Sequence, residues 1–150
     1  MQLPCCVRRA AQAKSQRHPC NSMKEQIMNK FSYDHRNPRI AAPARLERIR
    51  RLNDALRTQH RGGSVVVTDG VAALGFEAVQ AISTAIAGFD AFDTGNDPYG
   101  ERDFGSIEFE GKKVFFKIDY YDRSLRLHSP DPADPKVTAR VMTVMLANEY

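Results

Sequence analysis

From Gly105 to Tyr121 the side chains alternate with a period of two, and this run restricts the chain to folds that contain a sheet. Ile107 and Phe109 alternate with Ser106, Glu108 and Glu110. After Gly111, Val114, Phe116, Ile118 and Tyr120 alternate with Lys113, Phe115, Lys117, Asp119 and Tyr121. Such spacing sends successive side chains to opposite faces of a pleated strand, and Gly111 suits the turn between two strands. Leu125 and Leu127 continue the pattern and predict a third strand, so residues 105–128 read as an antiparallel meander.

Upstream the period changes to that of a helix. Leu46, Ile49, Leu52 and Leu56 recur at spacings of three and four, with Pro43 in first-turn position and Gly62-Gly63 as a stop. Arg45, Arg48, Arg50, Arg51 and Arg57 flank this stripe and are expected to be solvated, their stems lying along the core edge. Glu47 and Asp54 fall on the opposite face. The β-branched run Ser64–Thr68 reads as a buried central strand. Val79, Ile82, Ile86 and Phe89 mark a second helix over about residues 77–90. A loop from Ala91 to Phe104 follows, of a length often associated with function.

Ser129-Pro130-Asp131-Pro132-Ala133-Asp134-Pro135 ends the alternation. Asp134 as cap and Pro135 at the first helical position predict a closing helix through Val137, Val141, Val144 and Met145. The Val and Thr content makes a strand the alternative. The predicted fold class is α+β: helix, strand, helix, three-stranded meander, helix. It is a single domain over residues 43–150, with a mainly antiparallel sheet and helices on one face.

Charge divides the chain. Residues 1–62 carry fourteen Lys/Arg against four Asp/Glu, and residues 63–150 carry eight against fourteen. A basic arm on a mildly acidic body is a poor match to a nucleic-acid-binding domain, whatever the overall pI. Residues 1–42 are read as a basic, disordered extension without sustained periodicity, and Met23 and Met28 offer alternative starts. Its first residues lack the apolar run of a secretory signal. Cys5, Cys6 and Cys20 all lie there, so the body has no internal disulfide and suits a reducing cytoplasm. Together with His18 they do not have structural-zinc spacing. No stretch is long and apolar enough for a membrane span, so no membrane partner is expected.

Three blocks carry a resemblance: Asn96-Asp97-Pro98-Tyr99-Gly100-Glu101-Arg102-Asp103-Phe104-Gly105, Lys117-Ile118-Asp119-Tyr120-Tyr121-Asp122 and Ser129–Pro135. With the closing Met145-Leu146-Ala147-Asn148-Glu149-Tyr150, they make residues 44–150 similar to a bacterial family of small proteins. That family is catalogued as a domain of unknown function. Its members are common on plasmids and other mobile elements and tend to be shorter than this chain. The resemblance implies no activity. Similar sequences often place His where this chain has Arg102.

The remaining chemistry is sparse. Gly70 and Gly75 have the spacing of a phosphate-binding loop, but Phe76 and Glu77 stand where Lys and Ser/Thr are required. No catalytic Ser, Cys or paired-His motif occurs in the body, and His60 and His128 are isolated. What stands out is carboxylate density. Asp97, Glu101 and Asp103 lie on the long loop, Asp119 and Asp122 at a strand end, and Asp131 and Asp134 before the closing segment. Convergence of Asp97, Glu101 and Asp119 would suit Mg²⁺ or another divalent cation. With Asp103 and Lys117 this would make a hydrolase, such as a nuclease. The structural alternative is that these residues serve turns and caps.

A competing surface is the outer sheet face, where Phe115, Tyr121 and Lys113 interleave aromatic and basic groups beside Lys117. Such a face can bind nucleic acid or a protein. Absent a catalytic motif, the expectation is a cytoplasmic bacterial accessory protein without a cofactor. It would act by binding another protein, with the divalent-metal hydrolase as the alternative.

Overall fold

The computed structural model describes residues 43–150; the expected N-terminal extension lies outside them. In chain order these residues form helix α1 (Pro43–Gln59), strand β1 (Ser64–Val67), a one-turn helix α2 (Asp69–Ala72), helix α3 (Phe76–Ala87), strands β2 (Phe104–Phe109), β3 (Lys112–Tyr121) and β4 (Ala139–Leu146), and a terminal 3₁₀ turn (Ala147–Glu149). The four strands make one mixed sheet in the order β1-β4-β3-β2. β2–β3 and β3–β4 are antiparallel, and β1 runs parallel to β4. The α+β class and mostly antiparallel sheet are as read from the sequence.

Register explains the core. Val114, Phe116, Ile118 and Tyr120 of β3 lie opposite Leu146, Val144, Met142 and Arg140 of β4. This row therefore points to one face, where Ile49 and Leu56 of α1 and Ile82 and Ile86 of α3 close over it. Each fully buried aliphatic side chain contributes about 1.5–3 kcal/mol, and the stripe Leu46–Leu56 supplies α1's share. Gly105 of β2 faces Phe116 in the register, and a Cβ there would stand 2.4 Å from the Phe116 ring and 2.8 Å from Phe89. Its bareness lets Phe89 meet Phe116 edge-on at 5.4 Å.

Four expectations are corrected. The closing helix is instead β4. Asp134 does accept a backbone bond, from Lys136 N at 2.9 Å, but it forms a turn and the Val- and Thr-rich segment then extends between β1 and β3. The third meander strand at Leu125 and Leu127 is a turn. Asp122 accepts from Arg126 N, Leu127 N and Ser124 Oγ, Leu125 adopts φ 59°, and left-handed backbone cannot continue a strand. β1 is a strand, but at the sheet edge rather than its centre, with all four residues exposed. Arg57 is buried rather than flanking the core. Its Nη1 donates to the Ile86 and Ala87 carbonyls at 2.6 and 2.8 Å, adding to the backbone bond that Ile86 O accepts from Phe89 N at the C-terminal end of α3.

Candidate functional site

The most polar part of the interior lies under the helices. Asn53 occupies the α1 stripe between Ile49 and Leu56 and is completely buried. Its Nδ2 donates to the Glu101 carbonyl at 2.8 Å and to the Tyr120 hydroxyl at 2.6 Å, and its Oδ1 accepts from Arg140 Nε at 3.1 Å. Arg140, also fully buried, donates to the Pro132 carbonyl and lies over the Tyr120 ring at 5.4 Å. One amide thus ties together α1, the long loop, β3 and β4.

The long loop from Gly88 to Asp103 is fixed to α1 and β3 mainly through residues 100–103. Asp97 accepts from Glu101 N at 2.7 Å. Arg50 donates to the Gly100 carbonyl. Arg102 pairs with Asp54 at 2.7 Å and lies over Phe92, so the arginine at this position braces the loop against α1. The Asp103 carbonyl accepts from Ile118 N at 2.7 Å and extends the β2–β3 ladder.

Asp97, Glu101 and Asp103 act on one another electrostatically at the end of the long loop. Burial, followed by the charges of Glu101 and Asp97, pushes the Asp103 carboxyl up to about 7. Burial also raises Glu101, against a hydrogen bond from Tyr120 and the charge of Arg45. Tyr120 in turn is held well above its ordinary value by burial and by the charges of Asp103 and Glu101. The third block joins the periphery of this cluster, because Asp131 pairs with Arg45 at 2.7 Å and Pro132 meets Arg140.

The second block does not join it. Asp119 alternates with Ile118 and Tyr120, which puts it on the other sheet face, and its Oδ1 lies 2.7 Å from Lys117 Nζ. Among the described residues no group of three His, Cys, Asp or Glu side chains is placed to hold a metal ion. Asp97 is used by a turn and Asp119 by an ion pair, so the expected triad of Asp97, Glu101 and Asp119 is split by the sheet itself.

The outer sheet face also differs from expectation. Phe115 is only 3% exposed. Tyr150 and Phe104 pack on its ring at 5.6 and 5.4 Å. Tyr121 and Lys113 remain half-buried on that face, but the aromatic surface expected to greet a partner is largely internal. At the other end of the molecule Glu149 accepts from Thr68 Oγ1 at 2.6 Å and Gly70 N at 2.8 Å. The chain's own carboxylate therefore occupies the N-terminal end of α2, beside the Gly70 that has the spacing but not the partners of a phosphate-binding loop.

Apart from single exposed side chains such as Phe76, Tyr99, Leu125 and Leu127, the described surface is bare along the β1 edge. Val65, Val66 and Val67 are 38%, 48% and 37% exposed. Thr68 N donates to the Val144 carbonyl at 3.0 Å, which with the register Val67↔Val144 fixes which β1 groups face β4. Ser64 and Val66 turn their backbone groups inward to β4, and Val65 and Val67 turn theirs outward. No ionisable side chain lies between Gly62 and Thr68.

Asn53, Arg140, Tyr120 and Asp54 were not singled out as site residues from the sequence. Signals existed for two of them: Asn53 interrupts an apolar helical stripe, and Arg140 falls in period-two step with Met142, Val144 and Leu146. A polar residue on a buried face requires partners, and these partners come from far along the chain.

No described helix is long and apolar enough to cross a membrane. No curated protein and no solved structure matches the chain significantly. A family does match, over residues 67–149, under the description "Protein of unknown function (DUF3768)". These residues run from the end of β1 through α3, the long loop, β2, β3 and β4 to the terminal turn, and on that match the chain belongs to the DUF3768 family.

Proposed function

We propose that this domain is a protein-interaction module that takes an extended polypeptide segment onto the β1 edge. The observation that supports this reading is the uncharged, exposed strand Ser64–Val67 with the backbone groups of Val65 and Val67 turned outward. Exposed strand edges invite pairing, and natural proteins usually blunt them with charge, proline or a covering element. β1 carries none of the first two. Main-chain bonds to an added strand would supply affinity, and the three valines would supply apolar contact. Its wider setting, a cytoplasmic bacterial accessory protein carried on mobile DNA, is supported by the blocks Asn96–Gly105 and Ser129–Pro135 that resemble such proteins.

The outer-face residues Phe115, Tyr121 and Lys113 are secondary in this reading, because Tyr150 already covers Phe115. A hydrolase using Asp97, Glu101, Asp103, Asp119 and Lys117 has less support, since among the described residues no three such side chains are placed to hold a metal ion and Asp119 lies on the other sheet face from Tyr120. The polar cluster instead holds the long loop to α1.

Native co-purification tests the reading when wild type is compared with Val65→Pro. Proline at an outward-facing edge position removes one outward N–H and leaves the β4 ladder intact. Wild type should retain a stoichiometric protein partner that the variant loses. A partner retained equally by both would place binding elsewhere, and no association of any kind, including self-association, would remove the reading.

A further inference from the structure

An edge strand accepts a second copy of itself only if its side chains tolerate their own company. β1 meets that condition, because with no charge from Gly62 to Thr68 a twofold pairing brings no like charges together. The opposite edge is not uncharged, since Glu108 lies on β2 and Glu110 follows it.

Strand geometry then fixes a register. Val65 and Val67 present outward backbone groups, and Val66 lies between them facing β4. In an antiparallel pairing centred on Val66, each Val65 stands opposite Val67 of the second copy. Both pairs are of the kind that exchange N–H···O=C bonds in both directions, so every outward group of the strand is used. Val66 meets its own counterpart in the intervening non-bonded pair, with Cα atoms about 4.5 Å apart.

We propose that the strand taken by β1 is β1 of a second copy of this chain. The product is a twofold dimer with a continuous sheet in the order β2-β3-β4-β1-β1-β4-β3-β2 and both helical layers on one face. This inference rests on the edge reading and specifies its occupant. Closed twofold association is the commonest arrangement of identical chains. A four-residue strand covers far less than the roughly 1,200 Å² of a standard stable interface. The dimer is therefore concentration-dependent, a state the chain enters where it accumulates.

Sedimentation velocity of the purified full chain, from low to high micromolar concentration, tests this. Wild type should shift from monomer to dimer. Val65→Pro should raise the dissociation constant about tenfold or more by deleting backbone bonds. Val66→Lys should do the same by setting two lysines directly opposite, and it gives a second edge variant if proline perturbs the fold. In chains with Cys5, Cys6 and Cys20 replaced by serine, Val66→Cys should form a disulfide-linked dimer on mild oxidation, because its spacing suits a disulfide. Ser64→Cys should not, because Ser64 lies opposite Thr68. A monomer throughout, with no cross-link at position 66, overturns the second copy as occupant. If Val65→Pro still abolishes capture of a different protein, the edge reading survives that result. A dimer indifferent to both edge variants and to oxidation at position 66 overturns the proposed interface.

Discussion

The two edges of the sheet are built from opposite materials. β2 is drawn into the molecule: Gly105 admits the Phe116 ring, Ile107 and Phe109 pack on the core, and Phe104 contacts Phe115 and Tyr150. Glu108 lies across from Lys113, and the loop preceding β2 is held to α1 through Asn53, Arg50 and Asp54. β1 has a short parallel pairing with β4 and exposed valines. A sheet needs edges, and proteins protect those they do not use. The contrast teaches that the carboxylate-rich loop, the most conspicuous feature of the sequence, strengthens the protected side. The plain valine run lies on the side left available.

The comparison breaks most visibly if the protected side is loosened. Asn53→Ala should cost about 3 kcal/mol or more, because the Tyr120 hydroxyl, the Glu101 carbonyl and Arg140 Nε each lose a buried partner. Chemical denaturation measures this, and a cost within about 0.5 kcal/mol, ordinary for surface changes, would mean the network does not anchor the loop. Gly105→Val should cost about 2–3 kcal/mol by overpacking against Phe116 and Phe89. Val66→Thr on the other edge should stay within about 0.5 kcal/mol, so comparable losses at the two positions would erase the distinction.

Acidity sharpens the same contrast. The folded chain holds the Asp103 proton up to about pH 7, whereas the ordinary carboxyl value is 3.8. Between those values the unfolded chain releases its proton first, so folding takes up a proton and stability falls as pH rises. Below about pH 4 the preference for the protonated fold is fully present, and above about pH 7 its loss is complete. Asp103→Asn should flatten this slope in melting curves taken across the range. The raised Glu101 carboxyl acts in the same direction, so some slope should remain. No change on substitution would mean that Asp103 is not held protonated. The smallest effect belongs to β1: Val65→Pro should leave the melting temperature of the monomer nearly unchanged, and a cooperative loss of fold would show that its amide is already engaged.

Much of the architecture was legible because it is local. α1 and α3 announce themselves through spacings of three and four, and the β2–β3 hairpin through alternation around Gly111. β4 was obscured because Val137, Val141, Val144 and Met145 also fit a helix. Its true inward row begins with Arg140, whose burial makes sense only once Asn53 and the Pro132 carbonyl are known to meet it. Composition identifies β1 as a strand, but edge or centre depends on sheet order, which no single segment encodes. That Asp97, Glu101 and Asp103 share one loop was readable directly from the chain. The exclusion of Asp119 depended on strand parity relative to Tyr120. Phe115 looked available because its cover, Tyr150, is 35 positions away in the chain.

Residue-resolved amide hydrogen exchange on the dilute monomer tests the open edge most directly. Val66 N and Thr68 N, aimed at β4, should exchange slowly, while Val65 N and Val67 N should exchange like exposed amides and gain protection as concentration rises. Equal protection of all four in the dilute chain would show that the β1 edge is already covered, and would contradict the account.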